Sequence, residues 1–141
     1  LDAGWSSSIY FRKIYRDKKG VWEIEERPYV QIQKSFQTTP IKWTWRNRFE
    51  YRIRERKKTT RYRLHLKAES KSKFFSLQPF ISNEFFYDLD KQLYNKNWLA
   101  IGVKLPKLSF GRPTVYYKNV IDYKDDAWTS PEHVIVFKLS I

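Results

Sequence analysis

The sequence predicts an all-β protein, an antiparallel meander of about eight strands closed into a barrel, and three observations support this. Residues 41–55 alternate between an apolar, aromatic set and a charged set, and only Asn47 breaks the apolar set. A period of two indicates a β-strand, because successive side chains leave a strand on opposite faces. The same alternation recurs in stretches joined by short polar turns, and no stretch has helical periodicity. Long, regularly spaced strands with few internal Gly or Pro residues favour a closed meander.

The first half of the chain contains four predicted strands, over residues 4–15, 21–36, 41–55 and 61–68. The first alternates weakly, so its facing stays open. The second alternates well except at Glu26, and Pro28 removes a ladder donor, which predicts a bulge or a weakened pairing. The fourth repeats the split of the third, with apolar side chains on one face and basic ones on the other. Turns are predicted at residues 16–20, 37–40 and 56–60.

The second half contains four more predicted strands, over residues 74–88, 96–105, 113–123 and 132–141. The fifth strand carries aromatic rings on both faces, whereas the sixth separates branched apolar residues from Ala100, Gly102 and Lys104. The seventh is rich in Val and Tyr, which favour strands. The last has apolar residues at its final position, Ile141, and at alternate positions before it. Turns are predicted at residues 69–73, 88–95, 106–112 and 124–131.

Composition and charge restrict the function classes. The 141 residues are predicted to form a single domain, residues 1–141, with a formal net charge of +13 and 18% aromatic residues. Such a basic chain suits a polyanion: nucleic acid, anionic lipid or lipopolysaccharide phosphate. The absence of Cys excludes disulfides and thiolate metal sites, and the absence of Met indicates a processed chain or a fragment. No apolar run reaches the ~20 residues of a membrane helix, which leaves membrane-spanning strands open.

Three features predict that the apolar face contacts lipid, which makes the fold a transmembrane β-barrel. The strands are long enough for a tilted crossing of a ~30 Å hydrocarbon layer. Trp and Tyr residues, among them Trp5, Trp22, Tyr29 and Trp98, collect near predicted strand ends as interfacial girdles do. The chain also ends on an alternating apolar strand, although outer-membrane barrels usually end on an aromatic residue. The residues predicted to face lipid are Trp43, Trp45, Phe49, Tyr51, Ile53, Leu64, Leu66, Leu99, Ile101, Val103, Ile135, Phe137 and Leu139.

The opposite face is predicted to form a charged lumen. Burying charges is costly unless they pair, so we expect ladders across the third, fourth and fifth strands, with Glu50 and Glu84 accepting from arginines. The predicted lumen network consists of Arg27, Arg46, Arg48, Glu50, Arg52, Arg63, His65, Lys67 and Glu84. With about eight strands, side chains fill the interior. With roughly ten or twelve, surplus positive charge would line a narrow, porin-like pore that favours anions.

Other function classes have less support. His65, Ser82 and Glu84 would face one interior, as in a lipid hydrolase, but a Ser–His–acid set needs hydrogen-bond contacts that a sequence cannot establish. We therefore predict no catalytic residue and no enzyme. The chain has no Gly-rich phosphate loop, CxxC or HExxH motif, and neither a cofactor nor a metal site is predicted. Single-strand nucleic-acid binding would need aromatic and cationic side chains on one face, whereas here they mostly alternate. A soluble β-barrel that binds a polyanion is the alternative outside the membrane.

Six segments of the chain together resemble a known family. They are LDAGW at 1–5, WEIEERP at 22–28, WRNRFEYRIRE at 45–55, RYRLHLK at 61–67, ISNEFFYDLD at 81–90 and LAIGVKL at 99–105. In order and spacing they resemble a bacterial outer-membrane β-barrel family known only as a domain of unknown function (two-four-nine-zero). The resemblance implies the fold and carries over no activity, substrate or catalytic residue. Members are usually longer at the N-terminus by one or two hairpins, so this chain is either a short member or lacks its first strands.

The resulting hypothesis is an integral protein of the outer membrane of a Gram-negative bacterium, either structural or part of an envelope assembly. The expected partners are outer-membrane lipid, lipopolysaccharide and other envelope proteins, and no nucleic acid is expected. If the last strand ends at the periplasm, the basic segments 12–19 and 56–61 emerge outside the cell. Lipopolysaccharide phosphates lie there, so these segments are predicted to contact them.

Overall fold

A computed structural model describes residues 3–18, 20–72, 76–124 and 127–140. These residues form nine β-strands and no helix. The strands are β1 (Ala3–Lys18), β2 (Val21–Thr38), β3 (Ile41–Arg54), β4 (Lys57–Ser70), β5 (Gln78–Asp88), β6 (Leu93–Lys104), β7 (Arg112–Lys124), β8 (Ala127–Trp128) and β9 (Glu132–Ser140). Within the described ranges, no helix has the length and hydropathy needed to span a membrane.

The strands form one antiparallel sheet in chain order, from β1 to β8. The two-residue β8 pairs with the end of β7, and β9 pairs with the rest of β7, so the two occupy one edge position in succession. The sheet is therefore a meander of eight strand positions, as predicted. Among the described residues, β1 pairs only with β2 and β9 only with β7, which leaves a curled half-barrel with two open edges. Closure of the barrel stays a prediction.

The meander gives the sheet two ends, which differ in their connections. At the termini end, β1 begins and β9 ends, and β2 connects to β3. At the far end, β1 connects to β2 and β3 connects to β4. Gly20 lies in the first far-end turn with a φ of 81°, and its amide donates to Asp17 Oδ1 at 2.7 Å. This positive φ is the conformation that the predicted Gly turn requires.

Several strands extend into segments predicted as turns. Pairing between β3 and β4 continues to Arg54 opposite Lys57, so the predicted basic loop at 56–60 shrinks to a turn at 55–56. In the same way β1 includes residues 16–18, and β6 begins at residue 93 rather than 96. Composition marks these segments as polar, but cross-strand pairing to a well-formed neighbour outweighs that local preference. The predicted positions 1–2, 19, 73–75, 125–126 and 141 lie outside the described residues.

Pro28 interrupts pairing on one side of β2 only. Its partner on β1 is Phe11, in an unbroken ladder. On the β3 side the ladder passes from Glu26 to Tyr29 without pairing Arg27 or Pro28, and the register is the same before and after. The sequence left open a bulge or a weakened pairing, and the structure has the weakened pairing because the proline lacks the N–H that the ladder needs. The register shift that the described sheet does contain lies between β5 and β6, where Phe86 pairs with Lys96 and Tyr87 with Tyr94, so that Asn95 of β6 is the extra residue.

The two faces of the sheet have opposite burial. We call the face that carries Glu25, Glu50 and Glu84 the ionic face, and the face that carries Phe49 and Ile101 the apolar face. Side chains from β2 through β9 line one cavity on the ionic face, so the sheet curls towards that side. The buried polar residues all lie there, and they are Glu25, Arg27, Arg48, Glu50, Arg63, Glu69 and Glu84. Phe49 and Ile101 on the apolar face are 49% and 58% exposed.

Candidate functional site

The largest ion-pair network described on the ionic face is organised around three of its four buried carboxylates, and the first is Glu25 on β2. Glu25 is 1% exposed and accepts hydrogen bonds from arginines on its own strand and on β3. Arg27 Nη2 donates to Glu25 Oε1 at 2.6 Å, and Arg52 Nε donates to the same oxygen at 2.7 Å. Arg54 Nε donates to Oε2 at 3.1 Å, and Arg16 on β1 approaches to 3.6 Å. Several guanidiniums thus share one carboxylate, and the cluster carries net positive charge.

Glu50 on β3 is the second centre and is also 1% exposed. Arg61 Nη2 donates to Glu50 Oε2 at 2.6 Å, and Arg63 Nη1 donates to Oε1 at 2.7 Å. Arg48 Nη1 donates to Oε1 at 3.3 Å, and Arg27 Nη1 lies 3.8 Å from Oε2. Because Arg27 also binds Glu25, it joins the first two carboxylates.

Glu84 on β5 is the third centre. Arg63 Nη2 and Arg46 Nη2 lie 2.8 and 3.0 Å from its Oε1. Arg63 therefore bridges Glu50 and Glu84 as Arg27 bridges Glu25 and Glu50. We call the connected set the arginine–glutamate ladder, and its members are Arg16, Glu25, Arg27, Arg46, Arg48, Glu50, Arg52, Arg54, Arg61, Arg63 and Glu84.

Aromatic rings pack beneath the ladder. The guanidinium carbons of Arg61 and Arg63 lie 4.9 and 4.6 Å from the ring centre of Phe86, and that of Arg48 lies 4.4 Å from Tyr29. A guanidinium above a ring face gains cation–π attraction, and more so where water is excluded. Phe86 in turn meets Trp98 edge-on, with ring centres 4.6 Å apart. The rings thus exclude water from charges whose burial would otherwise be very costly.

This packing corrects the sequence interpretation of two rings. Tyr29 and Trp98 were predicted among the aromatic residues near strand ends, but both lie within their strands and on the ionic face. Alternation groups Tyr29 with Arg27 and Gln31 in the polar set of its strand, whereas ring type alone had suggested a membrane interface for both residues. The structure places cations over both rings.

Most residues of the predicted lumen network meet in the ladder, but two do not. Lys67 pairs instead with Glu69, whose Oε2 accepts from Lys67 Nζ and from Lys104 Nζ, each at 2.6 Å. His65 lies opposite Arg46 and Glu84 in register, yet its Nδ1 is buried with no hydrogen-bond partner in the described part of the chain. The predicted network did not include six participants, namely Arg16, Glu25, Arg54, Arg61, Glu69 and Lys104.

The sequence indicated the face on which Glu25 lies but not the residues that it contacts. Its alternation with Trp22 and Ile24 placed it on the polar face, whereas its contacts depend on the register that sets it opposite Arg54. That register is fixed by the length of the connection between β2 and β3. Arg61 fell at the boundary of a predicted loop and was assigned to phosphate contact. In the structure Arg61 lies within β4 and binds Glu50, and the contact of segment 56–61 with phosphate stays a prediction.

The other predicted basic segment also lies largely in a strand. Of residues 12–19, those up to Lys18 belong to β1, and residue 19 lies outside the described part. Arg12 lies 6.0 Å from the ring centre of Tyr29, and Arg16 approaches Glu25. These cations therefore face the sheet's own ionic side rather than a loop.

The residues predicted to face lipid all lie on the apolar face. Ten of the thirteen are exposed, whereas Ile53, Leu64 and Val103 are half-buried among their neighbours. Polar side chains on this face satisfy one another. Asn83 and Asn97 exchange hydrogen bonds of 2.8 and 3.3 Å, and the Tyr62 hydroxyl donates to Asn47. Asn47, which interrupts the alternation of β3, therefore has a partner on the neighbouring strand.

No hydrogen bond joins His65, Ser82 and Glu84 in the described structure, although all three line one cavity on the ionic face. Across the described ranges, no group of three or more His, Asp or Glu side chains is placed to hold a metal ion. The site therefore acts through the charges of its side chains. It presents cationic groups that are held in place on a curled surface from which water is partly excluded.

Comparison with known proteins identifies a family and no function. A family model described as a protein of unknown function (DUF2490) matches residues 2–125. The match confirms the family indicated by the six sequence segments. No curated protein and no solved structure matches the chain.

Proposed function

The chain belongs to the DUF2490 family of proteins of unknown function, and we propose that it is an integral β-barrel protein of the Gram-negative outer membrane with a structural role. One observation carries the proposal, the inverted polarity of the sheet. Glu25 and Glu50 are almost fully buried, while Phe137 and Ile101 are 79% and 58% exposed. A soluble protein buries its apolar face, whereas a membrane barrel turns that face to lipid.

The extent of the apolar face supports lipid rather than water as its surroundings. Exposed large apolar side chains occur from Ile9 on β1 to Phe137 on β9, across the described sheet. Monomeric soluble proteins rarely expose contiguous apolar patches larger than a few hundred Å². Contact with acyl chains would remove this surface from water.

The dimensions of the strands are consistent with a membrane crossing. A tilted membrane strand needs ~9–11 residues. The strands other than β8 contain from 9 residues in β9 to 18 in β2. The paired amides of Asn83 and Asn97 also fit lipid, since polar groups in an apolar solvent need internal partners.

The arginine–glutamate ladder supports a structural role over a conducting pore. Its charges hydrogen-bond across β2 to β5, and Glu25, Glu50 and Phe86 are inaccessible to solvent or nearly so. Side chains that fill and cross-link the inner face hold neighbouring strands in register. In a closed barrel they would also narrow the interior at the level of Glu50.

The experiment that tests the proposal is membrane fractionation followed by electrophoresis. The native protein should sediment with the outer membrane, require detergent for extraction, and migrate differently in unheated and boiled samples. Recovery in the soluble fraction without detergent would overturn the proposal. Bilayer recordings of the purified protein add a second measurement, in which steady anion-selective conductance would favour the pore over the structural role.

We also propose lipopolysaccharide as a partner at the far end of the sheet. Arg56 lies in the turn between β3 and β4, and the exposed residues Lys57 and Lys58 follow it. No described acidic residue pairs with these three cations. Replacing all three by Gln should weaken lipopolysaccharide binding, because phosphate attraction depends on the local density of cations. Unchanged binding in a detergent pull-down would count against this partner.

A further inference from the structure

We propose that a cavity on the ionic face, at the termini end, binds a small soluble anion that carries phosphate groups. The cavity has a volume of about 570 Å³ and is lined by side chains from β2 to β9. This volume lies within the range of small-ligand sites, ~300–1,000 Å³. The inference goes beyond a structural role, and it does not depend on membrane location.

The charge of the lining selects for anions. Six cationic side chains line the cavity against two carboxylates, Glu69 and Glu84. The cations are Lys42, Arg46, Lys67, Lys104, Lys118 and Lys138. Each carboxylate is already shared, Glu69 by two lysines and Glu84 by two arginines. The internal acids therefore leave an excess of positive charge directed at the cavity.

Three lysines supply most of this excess. Lys42 on β3, Lys118 on β7 and Lys138 on β9 have no ion-pair partner among the described residues. Lys118 Nζ lies 4.4 Å from the ring centre of Trp98, which orients its ammonium over the cavity wall. Lys118 and Lys138 come from the neighbouring strands β7 and β9, whereas Lys42 comes from β3, four strand positions from β7, so the curl of the sheet brings Lys42 to the same cavity. Lysine ammoniums that converge in this way suit the dispersed charge of phosphate.

Two buried polar atoms in the lining provide an independent observation. Trp98 Nε1 and His65 Nδ1 are buried, and neither has a hydrogen-bond partner in the described structure. Both residues line the cavity. Buried polar groups are nearly always hydrogen-bonded, and an indole N–H can only donate. Because the indole N–H has almost no accessible surface, an acceptor-rich ligand such as phosphate would satisfy it once the ring turns towards the cavity.

The shape of the cavity depends on Gly102. This residue lies between Phe80 and Tyr116 in the cross-strand pairing, and all three are on the ionic face. A Cβ at Gly102 would lie 2.2 Å from Tyr116 Cβ. Its absence lets Tyr116 lean across β6 and meet Phe80 edge-on, with ring centres 6.0 Å apart. The rings form an apolar wall beside the lysines, which suits a phosphate ester with a small organic part.

The ladder makes the cavity a binding site rather than a passage. The cavity lies towards the termini end, whereas Glu25 and Glu50 occupy the ionic face towards the far end. A ligand would enter at the termini end and meet the buried part of the ladder. A lipid headgroup offers the same phosphate chemistry, but the cavity faces away from the apolar surface that acyl chains would contact. The geometry therefore favours a soluble ligand.

Isothermal titration of pyrophosphate into the detergent-solubilised full chain tests the proposal. We expect saturable binding that weakens by at least about tenfold in the variant Lys118→Gln/Lys138→Gln, because two charge-assisted contacts are lost. Trp98→Phe keeps the ring but removes the N–H, and it should weaken binding by a similar factor. The matched control Lys91→Gln/Lys124→Gln removes the same charge from exposed positions at the far end and should change the affinity by less than about twofold.

Several outcomes would overturn the site. They are the absence of saturable binding by the wild-type chain, equal weakening in both lysine pairs, or full affinity in Lys118→Gln/Lys138→Gln. Circular dichroism of each variant verifies that the sheet is intact. A further titration in the presence of short-chain phosphatidic acid distinguishes a soluble phosphate ligand from a lipid headgroup. Failure of the lipid to displace pyrophosphate would assign the site to soluble anions, whereas displacement would overturn that assignment in favour of a headgroup.

Discussion

At the scale of single residues, Glu50 tests whether the ladder stabilises the sheet. Its carboxylate accepts from Arg48, Arg61 and Arg63 in a site that is 1% exposed. Glu50→Gln would leave buried guanidiniums without their counter-charge. We expect a loss of about 3–5 kcal/mol in the free energy of unfolding, the usual cost of breaking a buried ion pair. Urea unfolding in detergent measures it.

The matched control for this change is Glu55→Gln. Glu55 is exposed in the turn between β3 and β4, and loses the same charge when substituted. Its effect should stay within about 0.5 kcal/mol, as for most surface substitutions. Equal unfolding midpoints for the two variants would show that the ladder does not stabilise the fold.

Gly102 gives a second residue-scale prediction, which concerns close packing. Gly102→Ala places a Cβ 2.2 Å from Tyr116 Cβ and 2.5 Å from the carbonyl oxygen of Val115. Backbone cannot yield as a flexible side chain does, so we expect destabilisation of roughly 1–3 kcal/mol. Gly4→Ala is the control, since nothing lies within 4 Å of its added Cβ. Thermal unfolding should separate the two, and a Gly102→Ala variant as stable as Gly4→Ala would contradict the described contact.

The residues of the site could be predicted in part because alternation fixes which face a side chain takes. The alternation alone places Arg48, Arg63 and Glu84 on one face of the sheet. It could not give the partner of each, because partners such as Arg52 and Glu25 come from strands whose register is set by their connection. Nor could it show that His65 would be buried without a hydrogen-bond partner in the described chain.

At the scale of one strand, a substitution in β6 tests whether lipid or water covers the apolar face. Leu99 is the seventh of the twelve residues of β6 and is 42% exposed. In water, Leu99→Arg would be nearly neutral, because exposed surface substitutions seldom exceed about 0.5 kcal/mol. In a bilayer, an arginine at the midplane costs about 2–4 kcal/mol. We expect the larger cost in folding equilibria measured in lipid vesicles.

The cost of a buried arginine depends on its depth in the membrane, and this dependence supplies the control for that prediction. Trp22 lies on the apolar face in the second position of β2, next to the first far-end turn. Trp22→Arg should cost about 0–1 kcal/mol, because the cost falls towards the membrane interface. Equal small costs at Trp22 and Leu99 would indicate that water covers both positions.

Strand existence could be read from the sequence, whereas strand ends could not. Long alternation identifies β3 and β4 because it reports the face of each residue throughout the element. Their ends depend on how far two neighbours continue to pair, as at Arg54 and Lys57, where basic composition had indicated a loop. The turn between these strands has two residues because the pairing continues that far, which local composition does not encode.

At the scale of the whole molecule, the open edges of β1 and β9 conflict with a lipid environment unless they are paired. Each edge strand pairs with one neighbour in the described sheet, so alternate backbone N–H and C=O groups point outward. Water can satisfy these groups, but hydrocarbon cannot, and each unsatisfied group would cost several kcal/mol. The membrane proposal therefore requires a strand partner for both edges.

Hydrogen exchange in native membranes or proteoliposomes measures this requirement amide by amide. We expect the outward-facing amides of β1 and β9 to exchange as slowly as those of β3 and β4, which are paired on both sides. In detergent-free buffer, an open-edged soluble sheet would instead exchange the same edge amides rapidly while β3 stayed protected. Rapid edge exchange in the lipid sample would contradict closure, and with it the proposal that this sheet spans a membrane.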